Sequence, residues 1–287
     1  MKLVTWMHRG ETHIGALVSK NGSDFVCALN RLRPGLPDEM VAFLRAGDAT
    51  MASAKSAVSA ARENELVPLS GTKLLAPVPR PGKIICVGHN YHDHAGDTPP
   101  AFPDIFGKFA NVVVGPHETI LLARASDQID YEGELAVVIG RRAKYVSEAN
   151  ALDAVAGYTI FNDVTARDYQ KRSSQWTLGK SFDTFGPMGP ALVTKDEIGE
   201  PSNLELTLWV NGEQRQHTNT RDLIFSIPFL ISYLSQAITL EPGDIISTGT
   251  PSGTGASHKP PVFLKQGDQV RVAIEKIGEL VNPVAIE

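Results

Sequence analysis

The chain has 287 residues, which is enough for one large domain or for one large and one small domain. Hydrophobic residues make up 42% and charged residues 21%, ordinary values for a globular protein that exclude a largely disordered chain. The net charge of -5 and the scattered lysines and arginines argue against a nucleic-acid partner.

Residues 1–75 are predicted to form a small α/β domain. The first residues, MKLVTWMHRGETHIG, lack the apolar core and the cleavage site of a signal peptide, so a cytoplasmic location is expected. Cys27 has apolar neighbours, as does Cys86 further along, and both are interpreted as buried free thiols. Strands are predicted at residues 3–6 and 14–18, and a hairpin turn at 20–23. Two helices are predicted to follow, at 37–45 and 51–65.

Three prolines within residues 75–82 interrupt both helix and sheet, so the domain boundary is placed between residues 75 and 76. Residues 76–287 then show short apolar runs separated by turn residues, a pattern typical of a β-barrel or roll. Strands are predicted at 84–87, 111–114, 134–139, 157–161, 191–193, 204–210, 245–247 and 269–274. Helices are predicted at 147–156, 165–173 and 226–238, the last with Ser226 as N-cap. Residues 223–240 are the most hydrophobic stretch, but their serines and Pro228 leave them short of a membrane span.

Two glutamates lie at the entry to a buried strand in the segment DYEGELAVVIG, residues 130–140. Side chains at positions i and i+2 of a strand point to the same face, so Glu132 and Glu134 are expected to project together. Two like charges in a partly dry place repel unless a cation lies between them. Gly133 is expected to let another backbone approach the opposite face.

A third carboxylate, Asp163, ends the strand-like segment AGYTIFND. It is the best candidate for a third ligand, and an all-oxygen set suits Mg²⁺, Mn²⁺ or Ca²⁺ better than Zn²⁺. Spacing alone also allows a solvated face on which the two glutamates pair with Arg141, Arg142 or Lys144.

The loop HNYHDHAGD follows a predicted strand and is rich in histidine and aspartate. His94 and Asp97 are separated by one helical turn, so Asp97 is a candidate to orient His94 as a general base toward a water molecule. A second metal site and a polar surface loop remain open as alternatives.

Two further segments resemble nucleotide-binding motifs without fitting them. The sequence around Lys180, LGKSF, has Ser174 where a phosphate-binding P-loop requires its first glycine. The segment STGTPSGTG, residues 247–255, does not match G-x-G-x-x-G, but its backbone N–H groups and the Thr250 hydroxyl are candidates to bind a carboxylate.

Together these segments resemble the fumarylacetoacetate hydrolase family, from about Lys83 to the end of the chain. The landmarks occur in the family's order: GHNYHDHAGD, IFGKFANVVVGP, DYEGELAVVIG, FNDVTARDYQ, WTLGKSFDTFGPMGP, VNGEQRQ, IFSIPFLISYLS and LEPGDIISTGTPSGTG. The resemblance implies an α+β, mainly β fold with a mixed β-roll, and a homodimer. The family's larger eukaryotic hydrolases have an extra aspartate ligand where Val87 stands here, so the acylpyruvate-hydrolase-like branch fits better.

The resemblance also implies roles for individual residues. One Mg²⁺ or Mn²⁺ per chain is expected on Glu132, Glu134 and Asp163. His94 is the implied catalytic histidine, and Asp97 stands at its acidic partner's position, where glutamate is more usual. The other implied contacts to the site are Lys108, Arg167, Gln170, Lys180 and Thr250.

The family's substrates are mostly 2-oxo or 2,4-dioxo acids, so the sequence predicts a metal-dependent hydrolase that cleaves a C–C bond in an acylpyruvate. In this hypothesis His94 activates water, while Lys180 and Gln170 stabilise the developing oxyanion. Three alternatives remain open: an oxaloacetate decarboxylase, an isomerase or hydratase of an unsaturated 2-oxo dioic acid, and a binding protein that has lost catalysis.

Overall fold

The first part of the chain forms a hairpin-rich unit, seen in a computed structural model that describes residues 1–96 and 100–287. Its elements are β1 (Lys2–His8), β2 (Glu11–Lys20), β3 (Ser23–Ala28), α1 (Leu29–Leu32), α2 (Met40–Arg45), α3 (Gly47–Ala60), β4 (Val67–Pro68) and β5 (Lys73–Leu75). The predicted turn joins β2 to β3, with φ of 52° at Asn21 and 77° at Gly22. Asparagine and glycine tolerate this left-handed conformation, which explains the tight turn.

The two parts of the chain together form the α+β, mainly β fold that was predicted. The second part consists mainly of β-strands. Its strands are β6 (Ile84–Gly88), β7 (Asp104–Lys108), β8 (Val113–Val114), β9 (Ile120–Leu122), β10 (Ile129–Asp130), β11 (Gly133–Ile139), β12 (Val155–Asn162), β13 (Thr165–Ala166), β14 (Gly186–Thr194), β15 (Glu205–Val210), β16 (Glu213–Asn219), β17 (Ile245–Ser247), β18 (Gln269–Ile274) and β19 (Gly278–Ile286). Its helices are α4 (His92–Ala95), α5 (Glu148–Ala151), α6 (Arg167–Gln170), α7 (Thr177–Lys180), α8 (Lys195–Ile198) and α9 (Ile227–Ala237).

A large sheet runs through both parts in the order β4-β3-β2-β1-β14-β12-β11-β17-β6-β7. The two parts join where β1 pairs antiparallel with β14, with Lys2 opposite Val193 and Leu3 opposite Leu192. The first 75 residues therefore extend the sheet of the second part. The boundary at residue 75 stays a prediction about folding units.

A second sheet, in the order β16-β15-β18-β19-β9, covers the large sheet where β11 begins. All seven residues of β11 are buried. A side chain on Gly133 would meet Val272 Cγ1 at 3.1 Å and Leu208 Cδ1 at 3.2 Å, and both belong to this second sheet. The expectation of a close backbone opposite Gly133 was wrong, because aliphatic side chains fill that space.

Two predicted helices are shorter in the structure because their ends pair with strands. The helix expected at 147–156 ends at Ala151, and Val155 already pairs with Ile139. The helix expected at 165–173 begins as β13, where Thr165 pairs with Asp130. Tertiary pairing has overridden local helix propensity at both places.

The predicted N-cap of α9 is confirmed, since the hydroxyl of Ser226 accepts a hydrogen bond from Phe229 N at 3.3 Å. Cys27 and Cys86 are both buried free thiols, as predicted. Within residues 1–96 and 100–287, no helix combines the length and apolarity needed to cross a bilayer.

Candidate metal centre

Two adjacent antiparallel strands bring the three predicted carboxylates together. In the β11–β12 pairing, Gly133 lies opposite Asn162, so Glu132 and Glu134 flank the end of β12, which Asp163 follows. The backbone N–H of Asp163 also donates to the carbonyl of Glu132 at 2.8 Å. All three carboxylates are buried, and one oxygen from each lies within 4.8 Å of the others. The i, i+2 argument placed both glutamates correctly, and a solvated face is wrong for them.

Buried cations already contact these acids. The Nζ atom of Lys180 lies 2.7 Å from Oε2 of Glu132 and 2.7 Å from Oδ2 of Asp163. Lys108 Nζ lies 2.5 Å from the other oxygen of Asp163, and Nη2 of Arg167 lies 2.6 Å from Oε1 of Glu132. The acids are thus held by fixed positive charges, as buried charges must be.

Glu134 is the acid that these cations leave least compensated. Burial raises its pKa well above the ordinary value, and the negative charges of Asp163 and Glu132 raise it further. Burial also acts to raise the pKa of Glu132, but Lys180 and Arg167 outweigh it and hold that pKa below the usual range. One more cation beside Glu134 would therefore relieve the repulsion.

The donor set fits a hard divalent cation. Oε2 of Glu134 accepts hydrogen bonds from the Ser247 hydroxyl at 2.6 Å and from Gly249 N at 2.9 Å. Its Oε1 receives no hydrogen bond from residues 1–96 or 100–287. Three clustered carboxylates, one of them with an oxygen that lacks a hydrogen bond, suit Mg²⁺ or Mn²⁺, which bind through carboxylates and water.

His94 is held beside this cluster by the short helix α4. The loop before the helix is anchored by Asn90, whose Nδ2 donates to the carbonyl of Thr248 at 2.7 Å. The helix itself is tied down by Asp93, which accepts a hydrogen bond from the Ser252 hydroxyl at 2.6 Å. Burial lowers the pKa of His94, so its neutral, proton-accepting form is favoured. The proposed partner Asp97 lies outside the described residues, as do Thr98 and Pro99.

The carboxylates and His94 line one small cleft with an empty volume of about 330 Å³. Its walls are formed by Val87, Gly88, His89, His94, Phe106, Glu132, Glu134, Asp163, Arg167, Gln170, Trp176, Lys180 and Thr250. Most of the predicted site residues therefore meet in one place. Among the predicted site residues that the structure describes, Lys108 is the exception, because it does not line the cleft and contacts the far oxygen of Asp163.

Two of the predicted substrate contacts are partly engaged within the protein. Oε1 of Gln170 accepts a hydrogen bond from Nη1 of Arg167 at 3.1 Å. Its amide N–H groups meet no acceptor within residues 1–96 and 100–287. The hydroxyl of Thr250 accepts from Gln216 Nε2 at 2.8 Å and donates to the carbonyl of Gly133 at 3.1 Å.

The glycine-rich loop at residues 247–255 does bind carboxylates, but they are the protein's own. Gly249 N donates a hydrogen bond to Glu134. Gly255 N and Ala256 N donate to the buried Asp130 at 2.7 and 2.9 Å. Asp130 also accepts a hydrogen bond from Nε of Arg167 at 2.8 Å. Sequence reasoning missed Asp130 as a residue that positions Arg167, although it stands two positions before Glu132.

A second histidine of the cleft, His89, lies in the histidine-rich loop HNYHDHAGD, and the sequence analysis gave it no role of its own. Its Nδ1 lies 2.8 Å from Oδ2 of Asp104, a contact between β7 and the residue that follows β6. No second metal site is found among the histidines that the structure describes. In residues 1–96 and 100–287, Glu132, Glu134 and Asp163 are the only such cluster of three ligand side chains.

Comparison with known proteins finds both a matching family and similar proteins. Residues 83–285 match the family described as fumarylacetoacetate (FAA) hydrolase C-terminal. Over 99% of its length the chain is 47% identical to a Bos taurus protein named oxaloacetate tautomerase FAHD2A, mitochondrial, and it covers 91% of that relative.

Solved structures show the same fold. A fumarylacetoacetate hydrolase from Exiguobacterium antarcticum superimposes with a TM-score of 0.85 at 36% identity, with 100% of both chains covered. A maleylpyruvate hydrolase from Sphingobium sp. SYK-6, solved with manganese (II) ion and pyruvate, gives a TM-score of 0.82 at 31% identity. That comparison covers 100% of this chain and 99% of the other.

Proposed function

Because this chain belongs to the fumarylacetoacetate hydrolase family, we propose that it is a metal-dependent enzyme that interconverts the keto and enol forms of oxaloacetate. One observation carries the proposal: His94, with its neutral form favoured by burial, shares a small cleft with three buried carboxylates. The similarity to the Bos taurus oxaloacetate tautomerase supports this choice of substrate.

The cofactor we propose is one Mg²⁺ or Mn²⁺ per chain, held by Glu132, Glu134 and Asp163. When bound, the cation polarises the 2-oxo carbonyl of the substrate and makes the neighbouring C–H group more acidic. The relative that was solved with manganese (II) ion and pyruvate supports a site of this kind.

The protein's own groups move the proton. His94 takes a proton from C3 of the keto acid, and the 2-oxo oxygen gains a proton, so a C–H bond is exchanged for an O–H bond with no net change in oxidation state. Lys180 and the amide of Gln170 line the same cleft, and we assign to them the hydrogen bonds to the oxygen on which negative charge develops. Lys180 and Arg167, the latter fixed by Asp130, keep Glu132 in its charged form.

Hydrolytic C–C cleavage of an acylpyruvate, the reaction that the sequence predicts, is the second candidate. The maleylpyruvate hydrolase among the solved relatives favours it. In that reaction His94 activates water to attack the distal ketone, and the carbon–carbon bond breaks to leave an enolate of pyruvate. Both candidates use the same His94 and differ in whether water enters the product. Decarboxylation of oxaloacetate, a third outcome, needs neither His94 nor water.

Substrates tested side by side separate these reactions. Tautomerisation is followed by the enol absorbance of oxaloacetate, decarboxylation by pyruvate release, and hydrolysis by loss of an acylpyruvate, each with Mg²⁺ or Mn²⁺. We expect tautomerisation to be the fastest, and His94→Ala to abolish it while metal binding survives. His92→Ala is the matched control, because His92 lies on the same helix and is exposed.

The contrary outcomes are equally clear. An acylpyruvate that is turned over much faster than oxaloacetate would establish the hydrolase. Full tautomerase activity in His94→Ala would remove the proposed role of the histidine. The absence of turnover on every substrate, with metal binding intact, would favour a binding protein.

Assembly and location are proposals of the same kind. The family resemblance supports a homodimer, which light scattering on the purified protein tests. The sequence predicts a cytoplasmic location, whereas the name of the Bos taurus relative places that protein in mitochondria. Fractionation of cells that express the native chain decides between these two locations.

A further inference from the structure

His89 has features that the proposed reaction does not use. It directly follows β6, and its φ is 52°, a left-handed conformation that non-glycine residues adopt infrequently, histidine more often than most. Strained backbone of this kind persists where surrounding contacts enforce it, often at functional sites. The imidazole lines the cleft and its side chain is 44% exposed, so a ligand in the cleft can reach it.

Contacts on three sides fix the orientation of the His89 ring. Asp104 lies 2.8 Å from Nδ1, so Nδ1 carries a proton and donates it. The ring meets Trp176 edge to face at 5.4 Å and stacks beside His94 at 5.9 Å between ring centroids. Within residues 1–96 and 100–287, Nε2 of His89 has no hydrogen-bond partner, which leaves it for a ligand.

His89 differs from the other basic side chains of the cleft wall in what it contacts. The lysine and arginine side chains of the cleft wall, Lys180 and Arg167, already contact Glu132 or Asp163. His94 is assigned to proton transfer in the proposed reaction. Among the described residues of the cleft wall, His89 is therefore the basic side chain that forms no ion pair with the three carboxylates and has no role in the proposed reaction. Its own partner, Asp104, lies on the side of the ring away from Nε2.

We infer that His89, oriented by Asp104, binds the second carboxylate of a dicarboxylic 2-oxo acid and makes the enzyme prefer it over a monocarboxylic one. The inference rests on the proposed function, since it concerns the same cleft. In the imidazolium form of His89, Nδ1–H donates to Asp104 while Nε2–H donates to the substrate carboxylate. Such a charge-assisted hydrogen bond is stronger than a neutral one and gives specificity.

Two variants test this role. His89→Leu removes the donor, and Asp104→Asn keeps the shape of its partner but removes the charge. The substrates are oxaloacetate and 2-oxobutyrate, in which a methyl group replaces the second carboxylate. For His89→Leu we expect the KM for oxaloacetate to rise roughly tenfold or more with kcat little changed, and both constants for 2-oxobutyrate to stay as in wild type. Asp104→Asn should show the same pattern with a smaller change.

One result would overturn the inference directly. His89 also stacks on His94, so a purely positioning role would lower kcat for both substrates by the same factor. An unchanged preference for oxaloacetate in His89→Leu would have the same meaning. His92→Ala serves as the control and should match wild type on both substrates.

Binding experiments keep the inference separate from the proposed reaction. If wild type turns over neither substrate, the proposed function fails, and calorimetry with Mg²⁺ then compares malate with 2-hydroxybutyrate. The inference predicts that wild type binds malate more tightly and that His89→Leu loses this difference. Equal binding of the two acids by wild type would contradict it, whatever the enzyme catalyses.

Discussion

The ammonium group of Lys180 and the carboxylate of Glu132 form a buried ion pair, with 2.7 Å between Nζ and Oε2. The same Nζ atom reaches Asp163 at 2.7 Å. Both contacts raise the pKa of Lys180 against the opposing effect of burial, so its charge is retained. Lys180 thus bridges two of the three acids that we propose as metal ligands.

Replacing Lys180 with methionine should destabilise the metal-free protein. Methionine keeps much of the side-chain volume but leaves Glu132 and Asp163 without their shared cation. Removing one partner from a buried ion pair costs about 3–5 kcal/mol, so the free energy of unfolding in EDTA should fall by that amount. Mg²⁺ should restore part of it and raise Tm more in the variant than in wild type.

Chemical denaturation with and without Mg²⁺ measures this effect. Lys171→Met is the control, because Lys171 is exposed and outside the cluster. An unchanged free energy of unfolding for Lys180→Met in EDTA would show that the buried pair contributes nothing.

Metal affinity should rise with pH. The pKa of Glu134 is raised by burial and by the charges of Asp163 and Glu132, so without metal this carboxyl holds its proton above its usual range. A divalent cation needs the carboxylate form and must displace that proton. As pH increases the competing proton is lost, and the affinity should increase by up to about tenfold per pH unit.

Calorimetric titration with Mg²⁺ between pH 5.5 and 8, in buffers with different ionisation enthalpies, counts the released protons. Glu134→Gln should bind Mg²⁺ more weakly and with a flatter pH dependence. A wild-type affinity that does not vary with pH, with no proton released, would contradict a protonated Glu134.

Gly179 should be intolerant of a side chain. A Cβ atom there would collide with the backbone N of Gln170 and would lie 2.9 Å from the carbonyl oxygen of Ala166. Gly179→Ala must therefore push α7, which carries Lys180, away from α6. We expect a loss of about 1–3 kcal/mol in stability, typical of overpacking, and a clear fall in activity.

Thermal denaturation and the enol assay on Gly179→Ala test this. Gly71→Ala is the matched control, because a Cβ at Gly71 meets nothing within 4 Å. Wild-type stability and activity in Gly179→Ala would mean that the two helices are free to separate without consequence.

Local patterns predicted those features that depend on neighbouring residues. The strands at 245–247 and 269–274 were placed at their observed bounds, because their apolar runs are short and end at turn residues. The pairing of Glu132 with Glu134 followed from the two-residue period of a strand. Asp163 and His94 were candidates from their local sequence, and the resemblance to a family then gave Lys180 its place in the site.

Local sequence patterns could not predict features that depend on pairing between strands far apart in the chain. The contact of β1 with β14 joins residues about 190 positions apart, and no spacing in the sequence encodes it. The role of Asp130 in holding Arg167 depends on the pairing of β10 with β13. His89 meets Asp104 only because β6 and β7 are antiparallel neighbours.

The central claim is that one divalent cation on Glu132, Glu134 and Asp163 supports enol chemistry in this cleft. The most direct measurement follows the enol absorbance of oxaloacetate while Mn²⁺ is titrated into EDTA-treated protein, with the protein-free rate subtracted. We predict that activity rises to a plateau at one equivalent of Mn²⁺ per chain, and that Asp163→Asn gives little activity at any concentration. Full activity in EDTA, or wild-type activity in Asp163→Asn, would contradict the claim.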